Sequence, residues 1–336
     1  MKKVALITGI SGMVGSHLAD FLINNTDWDI HGLARWRSPL DNVNHLIPMV
    51  NSQDRLFFHY ADLNDFVSLD HVVAKVKPDF VFHLAAQSFP KFSFDAANIT
   101  YETNIMGTQN LLEACRRYVP DAVIHVCSSS EVFGRVPRED LPIDENVRFH
   151  PASPYAISKA GTDLIGRFFS EAYGSKTVVT RMFTHTGPRR GDVFAESSFA
   201  KQIAMIENGM IPPEIRVGNL DSLRTFADVR DAVRAYFMSV TINPIPGSVY
   251  NIGGTFTCTI GEMLNSLIEI AHLKVRPKIS IDENRLRSLD ADLQVPDTRK
   301  FQNHTGWVPE ISFEQTMQDL LEYWREKVIR HPMINR

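Results

Sequence analysis

Two short runs bring together residue types that can do chemistry. Cys127-Ser-Ser-Ser-Glu-Val-Phe-Gly134 supplies the hydroxyls of Ser129 and Ser130 and the carboxylate of Glu131; Ser153-Pro-Tyr-Ala-Ile-Ser-Lys159 supplies the phenol of Tyr155 and the ammonium of Lys159. A free phenol has a pKa of about 10, too high for a base at neutral pH, and a nearby cation such as Lys159 brings the phenolate into range. Tyr155 can then take the proton of an alcohol while hydride leaves its carbon, with Ser129 hydrogen-bonded to the same oxygen. The ketone so formed acidifies the adjacent C–H. A carboxylate such as Glu131 can remove that proton and allow water to leave.

These side chains need a strand end facing a helix. Ala122–Val126 is an apolar run short enough for a buried strand, and it breaks at hydroxyls, a carboxylate and Gly134. Ser153-Pro154 is a helix-start signal, so the four-residue spacing puts Tyr155 and Lys159 on one face of a helix running to about Tyr173. Ser128 reads more simply as satisfying backbone groups at the strand end.

The N-terminal half alternates strands and helices in the same way. Val4–Ile7 predicts a strand and Ser16–Ile23 a helix, with Gly9-Ile-Ser-Gly-Met-Val-Gly15 between them. Glycines there permit a tight turn and close approach to a pyrophosphate, so Gly9, Ser11, Gly12, Met13, Val14 and Gly15 form a candidate dinucleotide cradle. The next strand, Asp29–Ala34, runs into Arg35, Trp36, Arg37 and Ser38, where NAD enzymes usually place an acidic residue. Guanidinium groups suit a 2′-phosphate that an Asp would repel, so NADP is preferred over NAD; a solvated basic loop is the competing reading. Strands at Leu56–Tyr60 and Phe80–Leu84 lead to Asp62 and Leu63, and to Leu84, Ala85, Ala86, Gln87 and Ser88, where small residues let a cofactor cross the strand ends. Asp62 is placed either to meet an adenine amino group or to cap the helix expected at Ser68–Val76. With a further helix at Asn104–Tyr118, the pattern predicts an α/β fold with a doubly wound parallel sheet of the Rossmann kind.

After a strand at Thr177–Met182 the composition shifts to loops and to prolines at 212, 213, 244 and 246. Helices are predicted at Phe194–Asn208, Val229–Val240, Ile260–His272 and Phe313–Val328, with one more core strand at Val249–Ile252. The expected division is a nucleotide-binding domain of residues 1–182 and 226–255, and a smaller, discontinuous α/β substrate domain of residues 183–225 and 256–336. A hydrophobic content of 44% and a charged content of 22% over 336 residues are those of a globular protein. A net charge of −4 argues against a nucleic-acid partner, and no apolar run suggests a membrane span. The three cysteines lack metal-ligand spacing and fit a reducing compartment, so a cytoplasmic protein without a metal is expected. His83 and His125 lie in apolar strands and read as satisfied core groups.

Together, Gly9-x-x-Gly-x-x-Gly15, Ser-Ser-Glu131 and Tyr155-x-x-x-Lys159 resemble an extended short-chain dehydrogenase/reductase. Leu84-Ala-Ala-Gln-Ser88, Arg189-Arg-Gly191 and Gly218-Asn-Leu-Asp-Ser-Leu-Arg224 narrow this to the GDP-mannose 4,6-dehydratase-like branch. Within it the chain is most similar to bacterial GDP-N-acetylglucosamine 4,6-dehydratases, over nearly its whole length. Tyr323-Trp-Arg-Glu-Lys327 repeats the Tyr–Lys spacing without a strand partner and reads as an ordinary terminal helix.

The resemblance implies an NADP-dependent lyase that forms a 4-keto-6-deoxy sugar from GDP-N-acetylglucosamine or GDP-mannose. Hydride moves internally from C4 to C6, and water leaves C6 with a proton from Glu131 or Ser130. His185 and Arg190 fall on the cofactor side, and Gln87, Ser129, Thr184 and Arg224 on the substrate side, with Arg224 at the diphosphate. The chain departs from relatives at Ser129 (Thr), Trp36 (a basic residue), Ile99 (a cofactor-contacting Tyr) and Thr184 (Asn). Relatives also imply a homodimer through helices 104–118 and 155–173, and a tetramer through the Arg35–Asn42 loop. The competing activity is an NADPH-dependent GDP-4-keto-6-deoxy-sugar reductase, which needs Ser129, Tyr155 and Lys159 but no C5 base. A non-catalytic nucleotide sensor would need none of these groups.

Overall fold

The computed structural model describes residues 2–286 and 291–330; the parts of the expected substrate domain at 287–290 and 331–336 lie outside the described residues. In chain order the first strands are β1 (Val4–Thr8), β2 (Asp29–Ala34), β3 (Leu56–Tyr60), β4 (Phe80–His83), β5 (Val123–Cys127) and β6 (Lys176–Met182). They are followed by β7 (His185–Thr186), β8 (Glu214–Val217), β9 (Leu223–Asp228), β10 (Val249–Ile252), β11 (Phe256–Thr259), β12 (Lys278–Ile281) and β13 (Leu293–Gln294).

Seven strands make one sheet in the order β10-β6-β5-β4-β1-β2-β3, and every neighbouring pair is parallel. This is the doubly wound arrangement the alternation predicted. Its strand order reverses between β1 and β4, which opens a crevice outside their carboxyl ends, the usual ligand position in such sheets. Leu6, Ile7, Val81, Phe82, Ile124 and Val126 are fully or almost fully buried, because helices cover both faces. One cover is the helix Pro154–Tyr173, which packs on β5 and β6; another, Val229–Thr241, lies on the opposite core with Tyr236 buried.

A second core gathers Phe199, Ile203, Met263, Leu267, Leu320 and Trp324 from the helices Ala195–Glu207, Ile260–Ile270 and Phe313–Arg330. Small sheets flank it, β11-β9-β13 with β7 beside β9, and β12 paired to β8. Sequence periodicity did not predict β8, β9 or β11–β13: each has two to six residues, and their pairings join distant segments. Nor did it predict the break in the helix expected at Asn104–Tyr118. Helical chain already begins at Ala97, passes through a π turn at Glu102–Met106, and resumes at Gly107–Tyr118.

Candidate active site

β5 ends at Cys127, and the chain turns into a short 3-10 helix, Ser130–Phe133, capped by Ser129, whose Oγ accepts from the Glu131 N–H at 3.2 Å. Ser128 is spent on the scaffold, donating from Oγ to the Lys159 carbonyl at 3.3 Å. Across the crevice, Ser153 caps the helix Pro154–Tyr173 by accepting from Ala156 N–H at 3.0 Å, and Tyr155 N–H donates to Ser93 Oγ at 3.0 Å. Each cap fixes its own turn, and the Ser128 bond to the Lys159 carbonyl ties the strand tip to the helix. Ser129, Ser130, Tyr155 and Lys159 are all buried at this junction, with Glu131 partly so.

Burial pushes the Tyr155 phenol well above its ordinary pKa; a hydrogen bond with Ser129 and the charge of Arg190 pull it back, while Cys127 and Glu131 oppose them. Lys159 is buried one helical turn after Tyr155. Its Nζ donates to the Cys127 carbonyl at 2.7 Å, bracing the strand end, and burial lowers its own pKa. Arg190 adds a smaller, favourable charge at the phenol. That guanidinium lies 3.5 Å from the centre of the Phe194 ring and donates from Nε to Glu196 Oε1 at 3.1 Å. Glu131 Oε1 lies 3.6 Å from Arg224 Nη1 on β9.

The cofactor crevice fits a dinucleotide. Gly9 has φ +73° and lies so close to Ala85 that a Cβ would sit 2.9 Å from its Cα; a Cβ on Gly15 would sit 2.3 Å from Gly9 O. Gly12 is exposed and caps the helix Met13–Asn25 with no side chain, leaving its first N–H groups directed at the crevice, a ready anion site. Met13 is buried and Val14 half-buried beside it. Arg35 and Arg37 are exposed in a turn closed by Ser38 N–H to Arg35 O at 3.0 Å, and Trp36 packs edge-on to Tyr60. A cavity of about 280 Å³ beside the turn is lined by Ser11, Asn42, Arg189, Arg190, Trp324 and Lys327.

Other predicted residues have structural work of their own. Asp62 accepts from Asn64 N–H at 3.0 Å and is not the helix cap; Asp65 is, accepting from Val67 N–H at 3.2 Å. The Leu63 side chain is buried and its carbonyl accepts from Asn110 at 2.9 Å. Leu84 and Ala85 N–H both donate to Thr8 Oγ1 at 3.1 Å, which aligns that loop on β1; Ala86 is half-buried and Ser88 exposed. The Gln87 amide is engaged within its loop, donating to Thr100 Oγ1 at 3.0 Å and accepting from Phe89 N–H at 2.6 Å. Thr184 is half-buried at the start of β7. His185 is held near pKa 3 by burial and then by the Arg190 charge, and its Nδ1 lies 3.2 Å from Phe183 O. His83 bridges Thr8 and Thr108 at 3.0 Å each; His125 meets Thr180 at 2.8 Å, but its Nδ1 has no partner among the described residues.

Two residues were not singled out from sequence. Asn104, buried in the π turn, accepts from Gln87 N–H at 2.8 Å and donates to Ser158 Oγ at 2.8 Å, tying the β4 loop to the Tyr155 helix. Its only sequence signal is a short amide inside a helical run. Glu196 gives none, since its partner Arg190 lies six residues away across a turn.

The family model for GDP-mannose 4,6 dehydratase matches residues 6–320. This chain belongs to the GDP-mannose 4,6-dehydratase family. It is 30% identical to the GDP-mannose 4,6-dehydratase of Vibrio cholerae, over 100% of this chain and 97% of that one. It is also 30% identical to the GDP-6-deoxy-D-mannose reductase of Pseudomonas aeruginosa, over 98% and 99%. Among solved structures, RMD from Pseudomonas aeruginosa complexed with NADPH superposes with a TM-score of 0.82 at 29% identity, covering 97% of this chain and all of that one. Since dehydratases and a reductase share the family frame, the side chains at the β5 tip must decide between them. In the second Tyr–Lys pair, Lys327 Nζ donates to Tyr323 OH at 2.7 Å within the helix Phe313–Arg330.

Proposed function

We propose that this chain is an NADP-dependent GDP-sugar 4,6-dehydratase acting on GDP-N-acetylglucosamine or GDP-mannose. The observation that carries this reading is Glu131 in the turn Ser130–Phe133, which packs against the helix that bears Tyr155. A reductase needs no base at C5, although some reductases carry a carboxylate nearby. NADP, when bound, supplies hydride acceptance at C4 and donation at C6. Tyr155 takes the proton of the C4 hydroxyl, with Ser129 hydrogen-bonded to that oxygen and Arg190 favouring the phenolate. Lys159 holds the strand tip against the helix and adds its own positive charge in favour of the phenolate. Glu131 removes the C5 proton, and Glu131 or Ser130 protonates the departing C6 hydroxyl.

Gly9, Ser11, Gly12, Met13, Val14 and Gly15 would hold the pyrophosphate; Arg35, Arg37 and Ser38 the 2′-phosphate; and Asp62, Leu63, Leu84, Ala85, Ala86, Ser88, His185 and Arg190 the remainder of the cofactor. Arg224 would take the substrate diphosphate, with Gln87 and Thr184 nearby. Residues 1–182 and 226–255 form the NADP-binding domain in this reading, and 183–225 with 256–336 the nucleotide-sugar domain. Ile99, Met106, Ile157, Leu164 and Phe168 leave apolar surface exposed on two neighbouring helices, which supports a homodimer through them. Trp36, 76% exposed in the Arg35–Asn42 loop, is the corresponding feature for a tetramer. No described helix is long and apolar enough to cross a membrane, and a cytoplasmic location is the accompanying proposal.

The reductase reading retains support from the 30% identical reductase matched at full length. A panel of nucleotide sugars incubated with protein and NADP, without added reductant, separates the two. A product lighter by one water supports the dehydratase. Turnover only when NADPH and a 4-keto sugar are supplied replaces it with the reductase.

A further inference from the structure

The predicted base and the predicted diphosphate ligand touch each other. Glu131 Oε1 lies 3.6 Å from Arg224 Nη1, and both side chains are largely buried, at 15% and 10% exposure. The two come from different parts of the fold, Glu131 from the turn after β5 and Arg224 from the second position of β9, whose neighbours β11 and β13 fix its register at Cys258 and Gln294. Opposite charges in so dry a setting attract strongly, and the pair holds the carboxylate toward β9, away from free reorientation over a sugar ring. A diphosphate carries more negative charge than one carboxylate and offers several acceptor oxygens to a guanidinium. Once bound, it competes for Arg224 and weakens the hold on Glu131.

We propose that Arg224 is a positioning residue that restrains Glu131 until the substrate's diphosphate draws it away, so that the C5 base is released only with a nucleotide sugar in place. The inference rests on the dehydratase reading above and adds a coupling between the two ends of the substrate. Recognition at the diphosphate and proton abstraction at C5 then share one ion pair. A free keto sugar that strayed into the site would meet a restrained base, which limits wasteful enolisation. Among the groups that face Glu131 are Arg224 from β9 and Tyr155 from the helix.

The test uses a free 4-keto-6-deoxyhexose, which lacks nucleotide and diphosphate, in deuterated water. Exchange of its C5 hydrogen is followed by NMR with the wild-type protein and with Arg224→Gln, both loaded with NADP. Arg224 has nothing to bind on this probe, so a residue that served the diphosphate alone would leave exchange unchanged. The proposal predicts that Arg224→Gln exchanges C5 faster than wild type, by about tenfold, the scale of one partly buried ion pair. The double variant Glu131→Gln/Arg224→Gln should lose the gain. Equal or slower exchange by Arg224→Gln overturns the proposal. Crystals grown with GDP give a second measurement independent of turnover: Arg224 should be on the phosphates with the Glu131 contact broken, and an intact contact with GDP bound overturns the proposal. If wild type does not dehydrate any intact GDP-hexose, the dehydratase reading fails and takes the inference with it. If it does, and the exchange rates are equal, only the inference fails.

Discussion

Arg190 touches three things that set its role: the Glu196 carboxylate, the face of Phe194, and the field at the Tyr155 phenol. Because its charge lowers the phenol's pKa, removing it must raise that pKa. Activity that depends on the phenolate should then need higher pH. The rising limb of kcat/KM against pH should move up by about one unit in Arg190→Gln, the size expected for one nearby charge; an unmoved limb would remove Arg190 from that task. Glu131→Gln should cut water loss by roughly 10²–10⁴-fold, the usual weight of a general base, while some C4 oxidation, read from the cofactor's absorbance, persists. Unchanged dehydration would take Glu131 out of the mechanism. Ser129, Tyr155 and Lys159 were legible in sequence because local signals place them, a strand break and a four-residue helical spacing. Lys159's partner was not legible, because the carbonyl it braces is a backbone group of another element.

At the scale of elements, the crevice depends on two tight fits. A Cβ at Gly15 would lie 2.3 Å from Gly9 O, inside any tolerable contact, so Gly15→Ala should shift the turn and weaken NADP binding more than tenfold. Calorimetric titration with NADP checks this, and unchanged affinity would mean the turn is not the pyrophosphate cradle. Asn104 couples the β4 loop to the Tyr155 helix through hydrogen bonds to Gln87 and Ser158. Asn104→Ala takes the partner from the Gln87 N–H and carbonyl, while Ser158 keeps its bond to the Tyr155 carbonyl at 2.7 Å; the loss costs about 1–3 kcal/mol, so a clear drop in Tm is expected along with the loss of activity. The seven-strand sheet could be read ahead of the structure because its strands are continuous apolar runs separated by helical periods. β8, β9 and β13 could not: β8 alternates over only four residues, β13 has two, and pairing with chain many residues away makes them strands. Arg224 therefore had a family role but no visible neighbour until β9 was in place.

Across the whole molecule, burial keeps several histidines neutral. His17 is lowered to about 4, and His83, His125 and His185 to about 3, each mainly by desolvation. An unfolded histidine titrates near 6.5, so between that pH and the folded values the unfolded chain binds more protons. The stability from these groups is fully present above about pH 6.5 and is lost as pH falls toward 4 and 3. Tm should be level from pH 8 to 7 and fall steeply from pH 6.5 to 4; a level Tm down to pH 5 would contradict the neutral assignments. Helix faces bearing Leu164 and Phe168 give a second expectation at this scale: Leu164→Arg with Phe168→Glu should reduce the mass found by light scattering to that of one chain.

The dehydratase reading requires that the hydrogen removed from C4 return to C6 of the same sugar. GDP-hexose carrying deuterium at C4, turned over with NADP and no reductant, tests this directly by NMR of the product. A keto sugar lacking one water, with its deuterium at C6 and no net NADPH formed, is the predicted result. Deuterium left on the cofactor, or a product that has kept all its oxygen, would contradict it.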